Sequence, residues 1–317
     1  MLVALSFIQL VYVILFAPLI VGILSTVEEK IESKAGPTIF QPYYDLHKLF
    51  TKENVVPKVA SGVFRIGPYI NFALYMLIII ILPIITAFPL AFGPTADFIG
   101  GGLIFGAAGI IKKIVALDSR NNYSHLGTAR ASSIGALSEP ITVLLFILCG
   151  VISNTNNPYV INNVFQTSSS WYFSVVHIFI AATFFMNLIV ETGKLPIEAK
   201  THGEFGMIDQ SMEMEFSGSD LAVYKWGGYI KQFLLMSVFL NVYACPFWVP
   251  MKYTSLSAVF IYSGIHLLKM FTLVIIFAFI NETVSKYRLY KIFDYIAVTF
   301  SVILIGMLAI YAANGIF

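Results

Sequence analysis

Charge is scarce in this chain. Its 317 residues include 19 Lys and Arg and 17 Asp and Glu, 11% of the total, and a formal charge of +2 with the signs interleaved gives no reason to expect nucleic acid as a partner. Cysteine is scarcer still. Cys149 and Cys245 lie far apart, each inside an apolar run, with no CxxC and no Cys/His cluster around them. An iron–sulfur cluster needs about four thiolates, so the pair reads as two small buried hydrophobes. No glycine-rich phosphate loop, His-Glu zinc motif or Ser/His/Asp order occurs. The chain is expected to hold no cofactor, no metal and no redox centre of its own.

Apolar residues fill the space that charge leaves. At 58% hydrophobic residues and a mean hydropathy of +0.83 the chain has more apolar surface than a soluble globule can hide, so it reads as an integral membrane protein embedded in a lipid bilayer. A spanning helix takes about 20 mostly apolar residues. Such runs lie at Leu2–Ser25, Ile66–Phe92, Phe98–Leu117, Ser132–Ile152, Tyr172–Val190, Leu221–Trp248, Leu256–Asn281 and Phe293–Ala313. They predict an all-α polytopic fold of about eight spans in a single membrane domain, residues 1–317. Pro83, Pro89 and Pro246 are expected to end, kink or tilt the second and sixth runs. The first run has no basic start and no small-residue cleavage site before Glu28, and reads as a retained helix. In GGLIFGAAG, Gly102 and Gly106 share a helix face and allow close helix packing.

Basic residues sort into alternate connections. Lys30, Lys34, Lys48, Lys52, Lys58 and Arg65 follow the first span, Lys112, Lys113, Arg120 and Arg130 the third, Lys194, Lys200 and Lys225 the fifth, and Lys286, Arg288 and Lys291 the seventh. The positive-inside rule makes these connections cytoplasmic, with both termini outside, in a multi-pass protein of the cell membrane. In the cytoplasmic loop 26–65, QPYYDLHKLFTK opens with Pro42 and puts Tyr43, Leu46, Leu49 and Phe50 on one helix face, away from Asp45, Lys48 and Lys52. This amphipathic helix is expected to lie flat on the membrane or to roof a crevice. The loop 191–220 is net acidic on a side that favours bases: Glu191, Glu198, Glu204, Asp209, Glu213, Glu215 and Asp220 outnumber Lys194, Lys200 and Lys225. Its acids are mixed with Phe and Met, which suits a segment partly buried against another subunit or a cavity.

Ionisable groups at membrane depth are costly enough to be functional by default. Glu139 is the sharpest case, one third of the way into SSIGALSEPITVLLFILCG and followed by Pro140, whose missing donor loosens the helix. Lys231 and Lys269 lie within the sixth and seventh spans, His177 and His266 within the fifth and seventh. The lysines can snorkel or pair with an acid, and a lone membrane histidine is more often a hydrogen-bonded packing residue than a relay.

Three separated motifs carry a resemblance. AGPTIFQPYYDLHKLFTKENVVP (Ala35–Pro57) resembles the R-x-GP…Q-P…D…K-L…KE…P pattern of the membrane anchor subunit shared by respiratory complex I and energy-converting nickel–iron hydrogenases. RASSIGALSEP is similar to its R…S-x-E motif, with Arg130 and Glu139 at matching positions, and VETGKLP followed by EFSG resembles its A-E-T-x-R-x-P…E-Y-S-G loop. The short GP-to-QP segment and THGEFGMIDQSMEMEFSG resemble the version in formate hydrogenlyase and ferredoxin-linked hydrogenases, and related archaeal complexes that reduce sulfane sulfur use the same anchor. Lys34 and Lys194 replace arginines of that pattern, Glu198 stands where aspartate is usual, and Phe216 replaces tyrosine.

The resemblance implies a membrane anchor and coupling subunit. Iron–sulfur clusters, and any nickel–iron site, would sit in peripheral hydrogenase-like partner subunits, and antiporter-like membrane subunits would move protons or sodium ions. The reading of the charged residues themselves is consistent with this and takes Glu139, Glu191, Glu204, Glu213, Glu215, Lys231 and Lys269 as the coupling residues. Its docking or cavity residues are Lys34, Gln41, Asp45, Lys48, Arg130, Lys194, Glu198 and Asp220. Other readings stay open: a quinone-binding subunit of a complex I-type enzyme, a structural anchor only, or a stand-alone transporter with broken helices and midplane charges.

Overall fold

The computed structural model describes residues 2–167, 172, 174–197, 211–253 and 255–313, with side chains of the last helix described to Ile310. Among them all regular structure is helical: α1 (Leu2–Ile31), α2 (Gln41–Phe50), α3 (Gly62–Ile81), α4 (Phe98–Asp118), α5 (Asn122–Ser153), α6 (Pro158–Thr167), α7 (Val175–Glu191), α8 (Gly218–Val238), α9 (Leu256–Thr283) and α10 (Leu289–Ala313). A short 3-10 turn at Gly93–Thr95 and a π-helix at Phe239–Ala244 complete the set.

The helix starts follow from local chemistry. Ser61, Asp97, Asn121, Ser174 and Ser255 each accept a backbone N–H of the first turn of α3, α4, α5, α7 and α9, satisfying a donor that has no intrahelical partner. Helix α5 ends at Asn154 in the left-handed region, φ 53°. Helix α3 stops at Ile81 although the apolar run continues to Phe92, because Pro83 cannot supply an N–H to Ile79. Gln9 of α1 takes that role: its buried amide donates to the carbonyls of Ile79 (2.6 Å) and Leu82 (2.9 Å).

Among the described residues six helices, α1, α3, α4, α5, α9 and α10, are long and apolar enough to cross a membrane. The protein is thus an all-α polytopic membrane protein, and six of the eight expected spans are met by described helices of spanning length and composition. Helix α7 has only 17 residues, about 25 Å against a hydrocarbon core of about 30 Å. Helix α8 is diluted by Asp220, Lys225 and Lys231 before it passes into the π-helix.

Consecutive helices alternate in direction, which gathers the charged connections at one end. There Ser61 donates to Asp118 (2.7 Å), Val55 N–H to Ser217 Oγ (2.7 Å) and Tyr287 N–H to the Pro196 carbonyl (2.8 Å). At the other end Phe98 N–H donates to Asn156 and Ala87 N–H to Pro250. Helix α8 occupies the middle, touching α1, α2, α3, α7 and α9, and α5 lies between α4, α7 and α10. A column of rings, Phe98 on Phe146 (4.0 Å) and Phe184 on Tyr243 (4.5 Å), packs the core between them.

The amphipathic helix α2 rests on α1 and α8. Leu46 is buried, Tyr43 and Leu49 half-buried, and the Tyr43 hydroxyl donates to the Leu15 carbonyl. Phe50 departs from the expected inward face: it is 45% exposed and meets Trp226 of α8 edge to face.

Candidate functional site

A cavity of about 150 Å³ opens where α4, α5, the end of α7 and α8 converge. Lys112 and Lys113 come from α4, Ser138 and Glu139 from α5, Glu191 from the last residue of α7, and Lys231 and Gln232 from α8. Lys113 Nζ donates to Glu139 Oε1 at 2.7 Å. Glu191 uses both oxygens: Oε1 accepts from Ser138 Oγ at 2.7 Å and Oε2 from Lys231 Nζ at 2.8 Å. The Glu191 side chain is 10% exposed and that of Glu139 23%, so these pairs sit between the dry interior and solvent, where desolvation roughly offsets attraction and the loss of one partner is what costs most. Because Ser138 precedes Glu139 in the chain and binds Glu191, one short stretch of α5 joins both carboxylates.

The glycine row on α4 makes room for this arrangement. Gly102 faces Phe146 of α5, as close helix packing requires, but a methyl on Gly109 would lie 2.8 Å from Glu139 Oε1. Gly106 looks toward the same carboxylate. The row serves a half-buried acid as much as helix contact.

Of the residues expected at one site, the structure brings Glu139, Glu191 and Lys231 together and disperses the others. Glu213 faces Lys225 at 3.9 Å. Glu215 accepts from the Asn121 side chain at the start of α5. Asp220 is buried and accepts from Asn54 (3.1 Å) and Tyr69 (3.0 Å), which fastens the loop before α3 to the start of α8. Lys194 is buried beside the loop whose Leu195 N–H donates to Asn281 Oδ1. Arg130 is half-buried on α5 and does not line the cavity. On the outer surface Lys34 pairs with Glu32, Gln41 donates to Asp45 (2.9 Å) within α2, and Lys48 is exposed. Lys269 is elsewhere, bound to backbone carbonyls at the broken end of α8. Glu198, Glu204 and Asp209 lie outside the described residues.

Two participants escape a reading of the sequence. Lys113 falls within the expected span Phe98–Leu117, yet reads there as one of a run of loop bases; its position inside the span is the available signal. Glu28, buried in the last turn of α1, accepts from Asn281 Nδ2 at 2.6 Å, and Asn281 Oδ1 accepts from Leu195 N–H, so that α1, α9 and the loop after α7 are tied through one amide. Nothing in its local pattern distinguishes it from the neighbouring Glu29. The histidines fit packing roles: His177 Nδ1 meets the Tyr172 carbonyl (2.9 Å) and His266 Nδ1 the Tyr12 hydroxyl (2.8 Å). Among the described residues no three His, Cys, Asp or Glu gather to hold a metal ion, and the two cysteines are free.

A bundle of membrane helices with paired lysines and glutamates converging on one internal cavity defines a membrane protein with an ionisable centre. A family model described as NADH dehydrogenase matches residues 4–312, and the chain belongs to that family. Formate hydrogenlyase subunit 4 of Escherichia coli K12 is 27% identical over 285 residues, 89% of this chain and 90% of that protein. Hydrogenase-4 component C of the same organism is 26% identical, covering 88% and 87%. An NADH-quinone oxidoreductase subunit of Ehrlichia chaffeensis is 24% identical over 310 residues, 89% of this chain and 82% of the relative. A chain in the structure of the membrane-bound sulfane sulfur reductase, an archaeal respiratory membrane complex, superposes with TM-score 0.80 at 18% identity over 96% of this chain and 99% of that one, a likeness of fold.

Proposed function

We propose that this chain is the membrane anchor and coupling subunit of a multi-subunit, redox-driven ion pump. It links electron transfer in peripheral iron–sulfur subunits, of a ferredoxin-dependent hydrogenase or a sulfane sulfur reductase, to proton or sodium translocation in antiporter-like membrane subunits. The observation that carries the reading is the linked set Lys113–Glu139, Ser138–Glu191–Lys231: two carboxylates and their ammonium partners around one cavity at the end of the bundle where the charged loops gather. Family membership and the hydrogenase-type relatives support it. The charged end faces the cytoplasm, in keeping with its Lys and Arg, and the electron-carrying subunits dock there on α2 and the 191–220 loop. Clusters and any nickel–iron site belong to those subunits; two separate cysteines offer no ligand set for them.

Coupling is electrostatic. A change of charge or of position in the 191–220 loop alters the proton affinity of Glu191. A proton arriving there removes the charge that holds Lys231, and Ser138 conveys the shift to the stretch of α5 that carries Glu139. Glu139, released from or returned to Lys113, passes the perturbation sideways within the membrane. Conversion of Glu139→Gln tests this in the intact complex. Assembly and electron transfer persist in detergent and ion pumping in vesicles is lost; pumping at the wild-type ratio removes Glu139 from the path. Purification of the tagged complex from native membrane tests the assembly itself, with iron–sulfur and antiporter-like subunits expected to accompany this chain.

A further inference from the structure

Helix α8 does not end by an ordinary cap. It passes into the π-helix Phe239–Ala244 and leaves helical geometry at Cys245, just before Pro246. Unwinding inside a bilayer frees carbonyls that must find donors nearby. Tyr172 donates its hydroxyl to the Ala244 carbonyl at 2.6 Å. Lys269, from the middle of α9, donates Nζ to the Cys245 carbonyl at 2.9 Å and to the Phe247 carbonyl. The same ammonium stands 5.9 Å from the ring centroid of Trp248, a residue held at φ 63°. Lys269 is only 5% exposed, and among the described residues no carboxylate pairs with it.

A buried ammonium is costly unless its charge is answered. Here neutral oxygens and an aromatic face answer it, and two of its three donors are spent on carbonyls. We propose that the bend Ala244–Trp248 is a seat for a monovalent cation, filled at present by the tethered ammonium of Lys269. Carbonyl oxygens without carboxylates suit a singly charged ion; Ca²⁺ takes six to eight oxygens, carboxylates among them, and Mg²⁺ keeps a near-octahedral shell. Unwound carbonyls near the bilayer centre are also how broken helices coordinate alkali ions in secondary transporters. Lys269 and a free Na⁺ or K⁺ exclude one another, so the side chain decides whether the seat is open. The seat shares no residue with the Glu139–Glu191 cavity and stands whether or not that cavity couples electron transfer to pumping.

The test uses the complex purified in a choline buffer, comparing wild type, Lys269→Ala and Lys269→Arg. Thermal unfolding of the Lys269→Ala complex is expected to shift upward by about 2–4 °C on addition of Na⁺ or K⁺ but not N-methylglucamine, as binding to the folded state requires. Wild type and Lys269→Arg are expected to stay flat, and the order of Na⁺ and K⁺ names the preferred ion. A flat Lys269→Ala response overturns the seat and leaves Lys269 a backbone cap. If Lys269→Ala does not assemble in choline, Na⁺, K⁺ or ammonium present during expression and extraction should restore it, and no rescue by any of the three overturns the seat as well.

Discussion

The indole N–H of Trp226 donates to the carbonyl of Ile14 across 3.2 Å, and that carbonyl is the acceptor that Pro18, four residues on in α1, leaves without a donor. Trp226 is also the ring beneath Phe50 of α2 and beside Phe72 of α3, with centroid distances of 6.2 and 5.7 Å. A proline defect in one helix thus fixes the rotamer of a residue that seats the amphipathic helix. Trp226→Phe should lower stability by about 1–2 kcal/mol, since it leaves the half-buried Ile14 carbonyl without a donor. In a Pro18→Ala background, where the introduced alanine supplies the missing N–H, the same change should cost less, and a double-mutant cycle on thermal unfolding reads the difference.

Glu191 holds Lys231 and Ser138 at once, so Glu191→Gln should take the carboxylate charge out of the ion pair between α7 and α8. We expect a loss of about 3 kcal/mol, at the lower end for a broken buried pair because Lys231 keeps some solvent access. Adding Lys231→Met should recover most of it, measured as yield and melting of the purified complex. Pumping should be absent from both variants, which separates the ion pair's structural part from its part in coupling.

Lys113→Met makes the converse case at Glu139. Alone it removes the partner of a carboxylate set against the α4 glycines, and the complex should be less stable than the Lys113→Met/Glu139→Gln double variant. Equal stability of the single and double variants would mean that solvent already serves Glu139 in place of Lys113.

Gly218 lies at φ 54°, and a methyl there would run into the Asn54 side chain and the Glu53 carbonyl. Gly218→Ala adds the cost of a left-handed backbone, about 1–2 kcal/mol, to a clash that must push the 51–61 segment away. Asp220 should then lose Asn54, Phe216 its stacking on Phe64 (4.3 Å), and limited proteolysis should cut first within residues 51–61.

Much of the fold was legible because a bilayer imposes a coarse rule. Apolar length marks a span, and Pro83 and Pro246 mark where two of them break, while Pro18, Pro68 and Pro140 stay inside continuous helices. Glu139 was legible for the same reason: an acid at that depth stands out against Leu, Ile and Phe. Its partner was not, since Lys113 is 26 residues away and only the crossing of α4 and α5 decides which α4 residue faces it. The acidic loop misled in the opposite sense. Glu213, Glu215 and Asp220 share a stretch of sequence but turn to Lys225, Asn121 and Tyr69, three different neighbours, because the first two lie in the turn before α8 and the third in its first helical turn.

The sequence alone determined that the chain is a helical membrane protein, where its charged connections fall, and which motifs it shares with its family; composition and spacing are one-dimensional, and those properties need nothing more. Tertiary structure decided which ionised groups meet. It joined Glu139 to Lys113 and Glu191 to Lys231, and it sent Lys269 to the carbonyls of a broken helix. The physical reason is that ion pairing and the filling of freed backbone acceptors act over about 3 Å, a distance set by helix crossing and rotation and not by position along the chain.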